Sequence, residues 1–313
     1  MRTRALGKTG LRVSELALGT WGLSGDGYGP VDEREQERVL ERALEMGVSI
    51  IETADAYGDG RMERAVGRGL AGRGEIVAVT KGGVDRTTSP PRRRFDAAHL
   101  RASVELSLRR LARDRIDVYL LHNPQAETLG TEVVDTLLDL KRQGRFAHWG
   151  VSAGNIEVGR AALRRGAEVI ELAYNLLHCS DLHRLAGEIM VAGAGVLARS
   201  TLAYGLLGSD WPRDRDFGPG DHRADRWTKP ELARRIDQVA AFRFLVSGEV
   251  ATMRSAAIRY VLSSSIVTSA VLGPRSVTQL EDIVREVGVG PVYLRDAALA
   301  RIPRALESVG IET

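Results

Sequence analysis

The chain has 313 residues, of which 43% are hydrophobic and 27% charged, with a formal net charge of +3. This is enough apolar content for a sizeable core, and the mixed charges argue against a nucleic-acid-binding protein. A single cysteine, Cys179, excludes a disulfide framework within the chain and fits a reducing compartment. Without an apolar run of roughly 18 residues or a secretory signal, we expect a cytoplasmic protein with no membrane partner.

The first predicted element is a β-hairpin over residues 2–16. Lys8, Thr9 and Gly10 lie between two short extended pieces, and this arrangement is typical of a tight turn. We expect this hairpin to close the bottom of the structure that follows.

Eight short apolar runs follow and predict buried strands. They occupy residues 16–18, 48–51, 76–80, 116–121, 147–151, 169–172, 195–198 and 269–272. Helical patterns separate them, as at 33–46 and 97–111, where apolar residues recur on one face. Eight strands alternating with helices favour a (β/α)8 TIM barrel over a doubly wound sheet. We therefore predict an α/β fold in which residues 1–313 form a single barrel domain with long loops at the carboxyl-terminal face.

One glycine-rich motif has the wrong context for nucleotide binding. The sequence GRGLAG at residues 67–72 matches GxGxxG but precedes a predicted strand instead of following one. A dinucleotide fingerprint must connect a strand to a helix, so that the pyrophosphate meets the helix amino terminus. We interpret this segment as a helix end and a turn.

Polar residues end three successive strands of the predicted barrel. Glu52 follows the second strand, with Tyr57 five residues later, and Lys81 and His122 end the third and fourth strands. Catalytic residues of such barrels lie at the carboxyl ends of the strands, and adjacent strands bring these four side chains to one rim.

The four side chains suit acid–base chemistry on a carbonyl. Lys81 is one of only four lysines in the chain, and a buried ammonium needs a carboxylate, for which Glu52 is the candidate. A purely structural salt bridge is the alternative. We expect the ammonium to lower the pKa of Tyr57 and make it a general acid. His122 orients the carbonyl or is a satisfied core residue, and Asp55 is expected to bond the local backbone of the turn.

Several motifs together resemble the aldo-keto reductase superfamily. They are LGKTGLRVSELALGTW at 6–21, ETADAYG at 52–58, VTK at 79–81, SLRRLARDRIDVYLLH at 107–122, WGVS at 149–152, YNLL at 174–177 and GPRSVTQLED at 273–282. The resemblance implies a (β/α)8 barrel that binds NADP(H) and passes a hydride between nicotinamide and a small-molecule carbonyl or alcohol. It also implies catalytic roles for Tyr57, Lys81 and His122, with Glu52 in the place of the family's aspartate.

The resemblance implies a set of cofactor contacts as well. Their positions are Gly19, Thr20, Trp21, Ser152, Glu171, Arg199, Ser200, Thr201, Leu202, Gly205, Gly273, Arg275, Gln279 and Asp282. Two positions depart from the family pattern, because Ala153 replaces an asparagine and Glu171 a glutamine of the carboxamide site. Arg275 matches the 2′-phosphate position and favours NADP over NAD, since its planar donors fit a phosphate.

Two features leave alternatives open. The segment 209–229 carries five aspartates against four arginines and one lysine, and is either a solvated loop or a flap over the cofactor. An ionised Glu171 beside nicotinamide would favour the oxidised ring and alcohol oxidation. The altered tetrad also suits a second class of protein, a nucleotide-binding regulatory or sensor protein with little turnover. No residue pattern indicates a metal site.

Overall fold

The amino-terminal hairpin forms as predicted. A computed structural model describes residues 1–288 and 293–312. Strands β1 (Thr3–Ala5) and β2 (Arg12–Ser14) pair antiparallel. The turn between them closes where the Leu6 N–H donates to the Leu11 carbonyl over 2.8 Å. Gly7 and Gly10 in this turn have positive φ, which glycine adopts without a steric penalty.

The predicted (β/α)8 barrel is confirmed, because eight parallel strands close into a cylinder. In chain order the strands that follow the hairpin are β3 (Leu16–Gly19), β4 (Ile50–Glu52), β5 (Val77–Gly82), the short pair β6 (Val84–Asp85) and β7 (Arg92–Arg93), β8 (Ile116–His122), β9 (Phe146–Ser152), β10 (Val169–Ala173), β11 (Gly195–Arg199) and β12 (Ser269–Leu272). The order around the barrel is β3-β4-β5-β8-β9-β10-β11-β12, with β12 pairing back to β3. The strands β6 and β7 form a separate antiparallel hairpin at the rim.

Helices cover the outside of the barrel. They are α1 (Glu33–Glu45), α2 (Arg61–Gly69), α3 (Ala97–Leu111), α4 (Thr131–Arg142), α5 (Ile156–Arg164), α6 (Ser180–Ala192), α7 (Lys229–Ala240), α8 (Met253–Ser263), α9 (Val277–Gly288), α10 (Asp296–Leu299) and α11 (Ile302–Ser308). Side-chain caps fix where several helices begin. At α3 the Asp96 carboxylate accepts a hydrogen bond from the His99 N–H, and at α5 the Asn155 side chain accepts one from the Val158 N–H.

The core has two layers. Inward-facing residues such as Ile50, Val79 and Leu120 fill the barrel, and the hairpin residues Leu6 and Val13 join this cluster at the bottom, which confirms the predicted plug. A larger cluster lies between the strands and the helices. Each fully buried aliphatic side chain contributes about 1.5–3 kcal/mol of transfer free energy, so these layers supply the main stabilisation.

The glycine-rich segment 67–72 lies where a helix ends and a turn begins. Helix α2 ends at Gly69, and Gly72 has φ +73° before β5 begins at Val77. Within the described residues, no helix is long and apolar enough to cross a membrane, and no cluster of three or more His, Cys, Asp or Glu residues is arranged to hold a metal ion.

Candidate active site

The rim residues predicted from the strand ends come together at a large cleft. Strand β5 lies between β4 and β8, so Glu52, Lys81 and His122 lie on neighbouring strands. The cleft has a volume of about 970 Å³, and Glu52, Tyr57 and His122 line it. Lys81 is 1% exposed and lies behind this wall. Strand register therefore brings Glu52, Lys81 and His122 together, and the loop after β4 adds Tyr57 to the same place.

Lys81 is held between two buried carboxylates. Its Nζ is in direct ion-pair contact with Glu52 Oε1 and lies 3.5 Å from Glu171 Oε2. The pair with Glu52 is the predicted one, whereas the Glu171 contact was not anticipated. Burial is the largest influence on the pKa of Lys81 and lowers it, while the Glu171 carboxylate opposes burial and favours the ammonium.

The Tyr57 hydroxyl lies within reach of the same charges. It is 3.5 Å from Glu52 Oε1, and the Tyr57 ring centroid is 4.9 Å from Lys81 Nζ. The expectation of a lowered pKa is wrong for this structure: burial raises the pKa of Tyr57 well above its ordinary value, and Glu171 adds to the rise. Tyr57 is therefore a protonated phenol at neutral pH.

His122 is a neutral imidazole beside Tyr57. The two rings stand edge to face with centroids 5.9 Å apart. Burial and the positive charges of Lys81, Arg93 and Arg199 hold the pKa of His122 well below its usual range. Within the described residues His122 Nδ1 is buried and has no hydrogen-bond partner. This imidazole can therefore position a polar ligand without adding a charge.

Asp55 does not serve the turn as expected. Its carboxylate is buried, and Oδ2 accepts a hydrogen bond from Ser103 Oγ of α3 over 3.2 Å, so the side chain bonds a distant helix. Burial, followed by the charge of Glu63, raises the pKa of Asp55 to about 7. The local-backbone interpretation fails because the chain buries this loop against α3.

A second polar group extends the site from Lys81 along the cleft. The Ser152 hydroxyl donates to Glu171 Oε1 over 3.0 Å, and Arg199 Nε lies 3.8 Å from the same oxygen. Arg199 Nη2 also donates to the Ala153 carbonyl over 2.9 Å. Glu171 is thus a buried carboxylate with a serine hydroxyl on one side and two cations nearby.

The turn after β11 has an unusual backbone. Ser200, Ala203 and Tyr204 all have positive φ, a conformation that non-glycine residues seldom adopt. Such strain is concentrated at functional sites. Further residues predicted from the resemblance also line the cleft: Gly19, Trp21, Ser200, Thr201, Leu202, Gly205, Gly273 and Gln279.

Three other predicted residues are placed differently from the rest. Arg275 lines the cleft, but its Nε donates to the Gly22 carbonyl and its Nη2 to the carbonyls of Gly29 and Pro30 over 3.0–3.2 Å. Thr20 is fully buried and does not line the cleft. Asp282 also lies off the cleft wall and forms ion pairs with Arg285 and Arg254.

The segment 209–229 packs against the rim. Trp211, Phe217 and Trp227 form an aromatic cluster with centroids 5.5–6.4 Å apart. The His222 N–H donates to the Gly27 carbonyl over 2.8 Å, and its ring lies 4.8 Å from the Trp21 ring. This segment therefore joins the loop after β3 across the cleft, a contact between distant segments for which the sequence carried no signal.

Comparisons of sequence and of structure with known proteins point to the same family. Residues 15–296 match the sequence model of the Aldo/keto reductase family. An uncharacterized oxidoreductase of Bacillus subtilis, YrpG, is 29% identical, and the match covers 91% of this chain and 90% of that protein. Among solved structures, the glycerol dehydrogenase AKR11B4 from Gluconobacter oxydans superposes with a TM-score of 0.84 at 27% identity over 99% of this chain and 97% of its own.

The holo form of aldo-keto reductase AKR11C1 from Bacillus halodurans superposes with a TM-score of 0.82 at 26% identity, covering 97% of this chain and 96% of its own. Family members use nicotinamide cofactors for oxidation and reduction of small molecules. With nearly its whole length matched, this chain belongs to the aldo/keto reductase family.

Proposed function

We propose that this single-domain chain is an NADP(H)-dependent oxidoreductase that interconverts a carbonyl compound and an alcohol, with Tyr57 as the general acid and base. The observation that carries the proposal is the convergence of Tyr57, His122 and the Lys81–Glu52 ion pair on one cleft wall. A bound nicotinamide supplies or accepts the hydride, and the side chains of this chain handle the proton.

Tyr57 is in the protonation state that carbonyl reduction requires. Its raised pKa keeps the phenol protonated, so it donates the proton to the carbonyl oxygen as the carbonyl carbon gains the hydride. The phenolate left behind lies near the Lys81 ammonium, which stabilises it. In alcohol oxidation the same phenolate takes the hydroxyl proton back.

Glu52 and His122 support this proton transfer in different ways. Glu52 holds Lys81 by direct contact, which keeps an otherwise costly buried ammonium in place. His122 is neutral and lines the cleft beside Tyr57, where it orients the carbonyl oxygen. Neither role requires a metal ion.

The polar groups next to Lys81 fit a nicotinamide carboxamide. An amide presents an N–H donor and a carbonyl acceptor, which match the Glu171 carboxylate and the Ser152 hydroxyl. Ala153 supplies no side-chain donor, so in this proposal Glu171 and Ser152 alone hold the carboxamide. The strained turn at Ser200–Tyr204 and the glycines of the cleft wall accommodate the pyrophosphate.

Preference for NADP over NAD is also part of the proposal. Arg275 lines the cleft, and its Nη1 is the guanidinium nitrogen that the three backbone carbonyls leave available. Fixed at the other two nitrogens, the guanidinium presents one preorganised donor to a 2′-phosphate.

A substrate panel tests the proposed function. Purified protein is mixed with NADPH or NADH and a range of aldehydes and ketones, or with the oxidised cofactors and alcohols, and the absorbance of the reduced nicotinamide is followed. We expect turnover with a preference for NADPH. Tyr57→Phe should lower kcat about 10²- to 10⁴-fold while cofactor affinity stays within about threefold, because the variant loses only the proton donor.

The same experiment separates an enzyme from a sensor. A protein that binds NADPH but transfers no hydride in a single turnover, with any member of the panel, would support the regulatory alternative and contradict the proposed function. A Tyr57→Phe variant as active as the wild type would remove Tyr57 from its role.

A further inference from the structure

Arginine dominates the charged residues of the cleft wall. Eight arginines line it against three carboxylates, those of Asp26, Glu52 and Glu171. The arginines are Arg86, Arg93, Arg199, Arg215, Arg223, Arg226, Arg254 and Arg275. Such an excess is expected where a cleft receives an anionic ligand.

Seven of these arginines already have partners. Arg86, Arg199, Arg223 and Arg254 form ion pairs with carboxylates. Arg275 donates to backbone carbonyls, and Arg215 and Arg226 lie over aromatic rings. Within residues 1–288 and 293–312, the exposed Arg93 guanidinium has no hydrogen bond, ion pair or ring contact, and only the longer-range charge of Asp55 and the Tyr57 hydroxyl act on it.

The β6–β7 hairpin turns Arg93 away from its neighbours. Arg92 and Arg94 lie on one face, where their guanidinium nitrogens are 3.7 and 3.6 Å from Asp85 Oδ2. Side chains alternate along a strand, so Arg93 lies on the opposite face, which is the cleft wall. Gly83 anchors the hairpin, because a Cβ there would lie 2.1 Å from the Phe95 ring.

Arg93 lies on the side of the cleft formed by Glu52, Tyr57, Lys81 and His122, which we call the reaction side. Its hairpin follows β5, the strand that carries Lys81, and the flanking strands β4 and β8 lead to Tyr57 and His122. Burial dominates both pKa values; the positive charge of Arg93 opposes the rise in the pKa of Tyr57 and adds to the fall in the pKa of His122. Arg93, Tyr57 and His122 thus line the same cleft and face the same ligand space.

The cofactor's phosphates do not account for this arginine. The pyrophosphate is assigned to the turn after β11, and β11 is four strands away from β5 in either direction around the barrel. The two segments therefore lie on opposite sides of the cleft. The Arg93 guanidinium, which is exposed and lines the cleft on the Tyr57 side, is therefore available to a different anion.

We propose that Arg93 binds an anionic group of the substrate, a carboxylate or a phosphate, while Tyr57 and His122 hold the carbonyl at the other end. The inference rests on the proposed function, since it names the substrate class of the same site. The planar guanidinium donors match two oxygens of either anion, so the substrates are short carbonyl compounds with one anionic terminus.

Matched substrate pairs test the inference. Succinic semialdehyde is compared with butanal, and glyceraldehyde 3-phosphate with glyceraldehyde, so the two pairs distinguish a carboxylate from a phosphate. We expect wild-type kcat/KM to favour the anionic member of at least one pair. Arg93→Gln should reduce that preference roughly 10- to 100-fold, mainly through KM. Arg92→Gln, on the other face of the hairpin, is the matched control and should leave it unchanged.

A binding measurement keeps the result independent of turnover. Calorimetric titration of the NADP⁺-saturated protein with succinate or inorganic phosphate should show binding that Arg93→Gln abolishes. If neutral and anionic aldehydes react equally well and Arg93→Gln changes neither, the inference is overturned and the proposed function stands. If nothing is turned over but anion binding depends on Arg93, the proposed function fails and the anion site stands. Without turnover and without such binding, both fail.

Discussion

The two sides of the cleft are built in different ways. On the reaction side, Glu52, Lys81 and His122 lie at the ends of three adjacent strands and are at most 9% exposed. On the opposite side, the wall comes largely from loops, where Trp211 and Arg223 of the segment 209–229 pack near Tyr28 of the loop after β3. Strand ends hold charges in fixed register, whereas loops supply aromatic and arginine surfaces.

This difference indicates how each side tolerates change. A charge at a strand end is desolvated and depends on its partner, so losing one member leaves another charge buried. Where a loop charge stays exposed, as Arg213 does in its pair with Asp237, solvent replaces much of a lost interaction. The reaction side should therefore respond to mutation through both stability and rate, and the loop side mainly through binding.

Replacing Lys81 should have the largest effect on stability. Lys81→Met leaves the Glu52 and Glu171 carboxylates buried without their ammonium, and we expect the free energy of unfolding to fall by about 3–5 kcal/mol. The loop-side control is Arg213→Met, which removes the exposed pair with Asp237 and should cost at most ~1 kcal/mol. Urea denaturation measures both, and equal losses would contradict the distinction between the two sides.

Asp55 provides a pH test within the reaction side. Its folded-state pKa of about 7 lies above the ordinary value of 3.8, so the folded protein binds the extra proton. The associated stability is present at low pH and is lost as pH rises through the folded pKa. Between pH 5 and pH 8, wild type should lose about 3 kcal/mol relative to Asp55→Asn.

The comparison with Asp55→Asn cancels other titrating groups, including His122, whose lowered pKa acts with the opposite sign. Urea unfolding at several pH values provides the measurement. Parallel stability profiles for the two proteins would show that burial does not hold the Asp55 proton.

Glu52→Asp tests how strongly turnover depends on the position of the carboxylate next to Lys81 and Tyr57. The shorter side chain withdraws the carboxylate by roughly 1.5 Å, away from Lys81 and from the Tyr57 hydroxyl. We expect kcat to fall by about 10- to 100-fold with little change in cofactor affinity. Steady-state kinetics with the best substrate of the panel measure this, and a higher kcat in the variant would mean that glutamate is the weaker choice here.

The smallest expected effect concerns Glu171. The sequence argument predicts that its charge favours the oxidised nicotinamide, but Lys81 and Arg199 lie 3.5 and 3.8 Å from its oxygens and offset much of that charge. Glu171→Gln should therefore shift the ratio of NADP⁺ to NADPH affinity only a few-fold, on the order of 1 kcal/mol, toward NADPH. Fluorescence titration of both cofactors measures the ratio, and an unchanged ratio would refute the electrostatic argument.

Much of the reaction side was predictable from the sequence. Short apolar runs separated by helical patterns locate all eight barrel strands. Three of these runs end in a polar residue, and these residues are Glu52, Lys81 and His122. Their proximity follows from chain order, because consecutive strands of a parallel barrel are neighbours. The helix over Ala97–Leu111 was also predicted with its observed bounds, since its apolar face has a clear helical period.

Other features depend on contacts that sequence spacing does not encode. The pKa of Tyr57 was misjudged because burial outweighs the nearby ammonium, and Asp55 was misassigned because its partner Ser103 lies 48 residues away. Arg92, Arg93 and Arg94 are alike in sequence, but Asp85 pairs with Arg92 and Arg94, whereas Arg93 lines the cleft.

Local patterns of apolar and polar residues therefore determined the barrel and the polar residues at its strand ends, because burial and strand period act on near neighbours in the chain. The tertiary structure alone decided the second carboxylate on Lys81, the protonation of Tyr57 and Asp55, and the position of Arg93 on the cleft wall. Each of these depends on desolvation and on charges from distant segments, which only folding brings together.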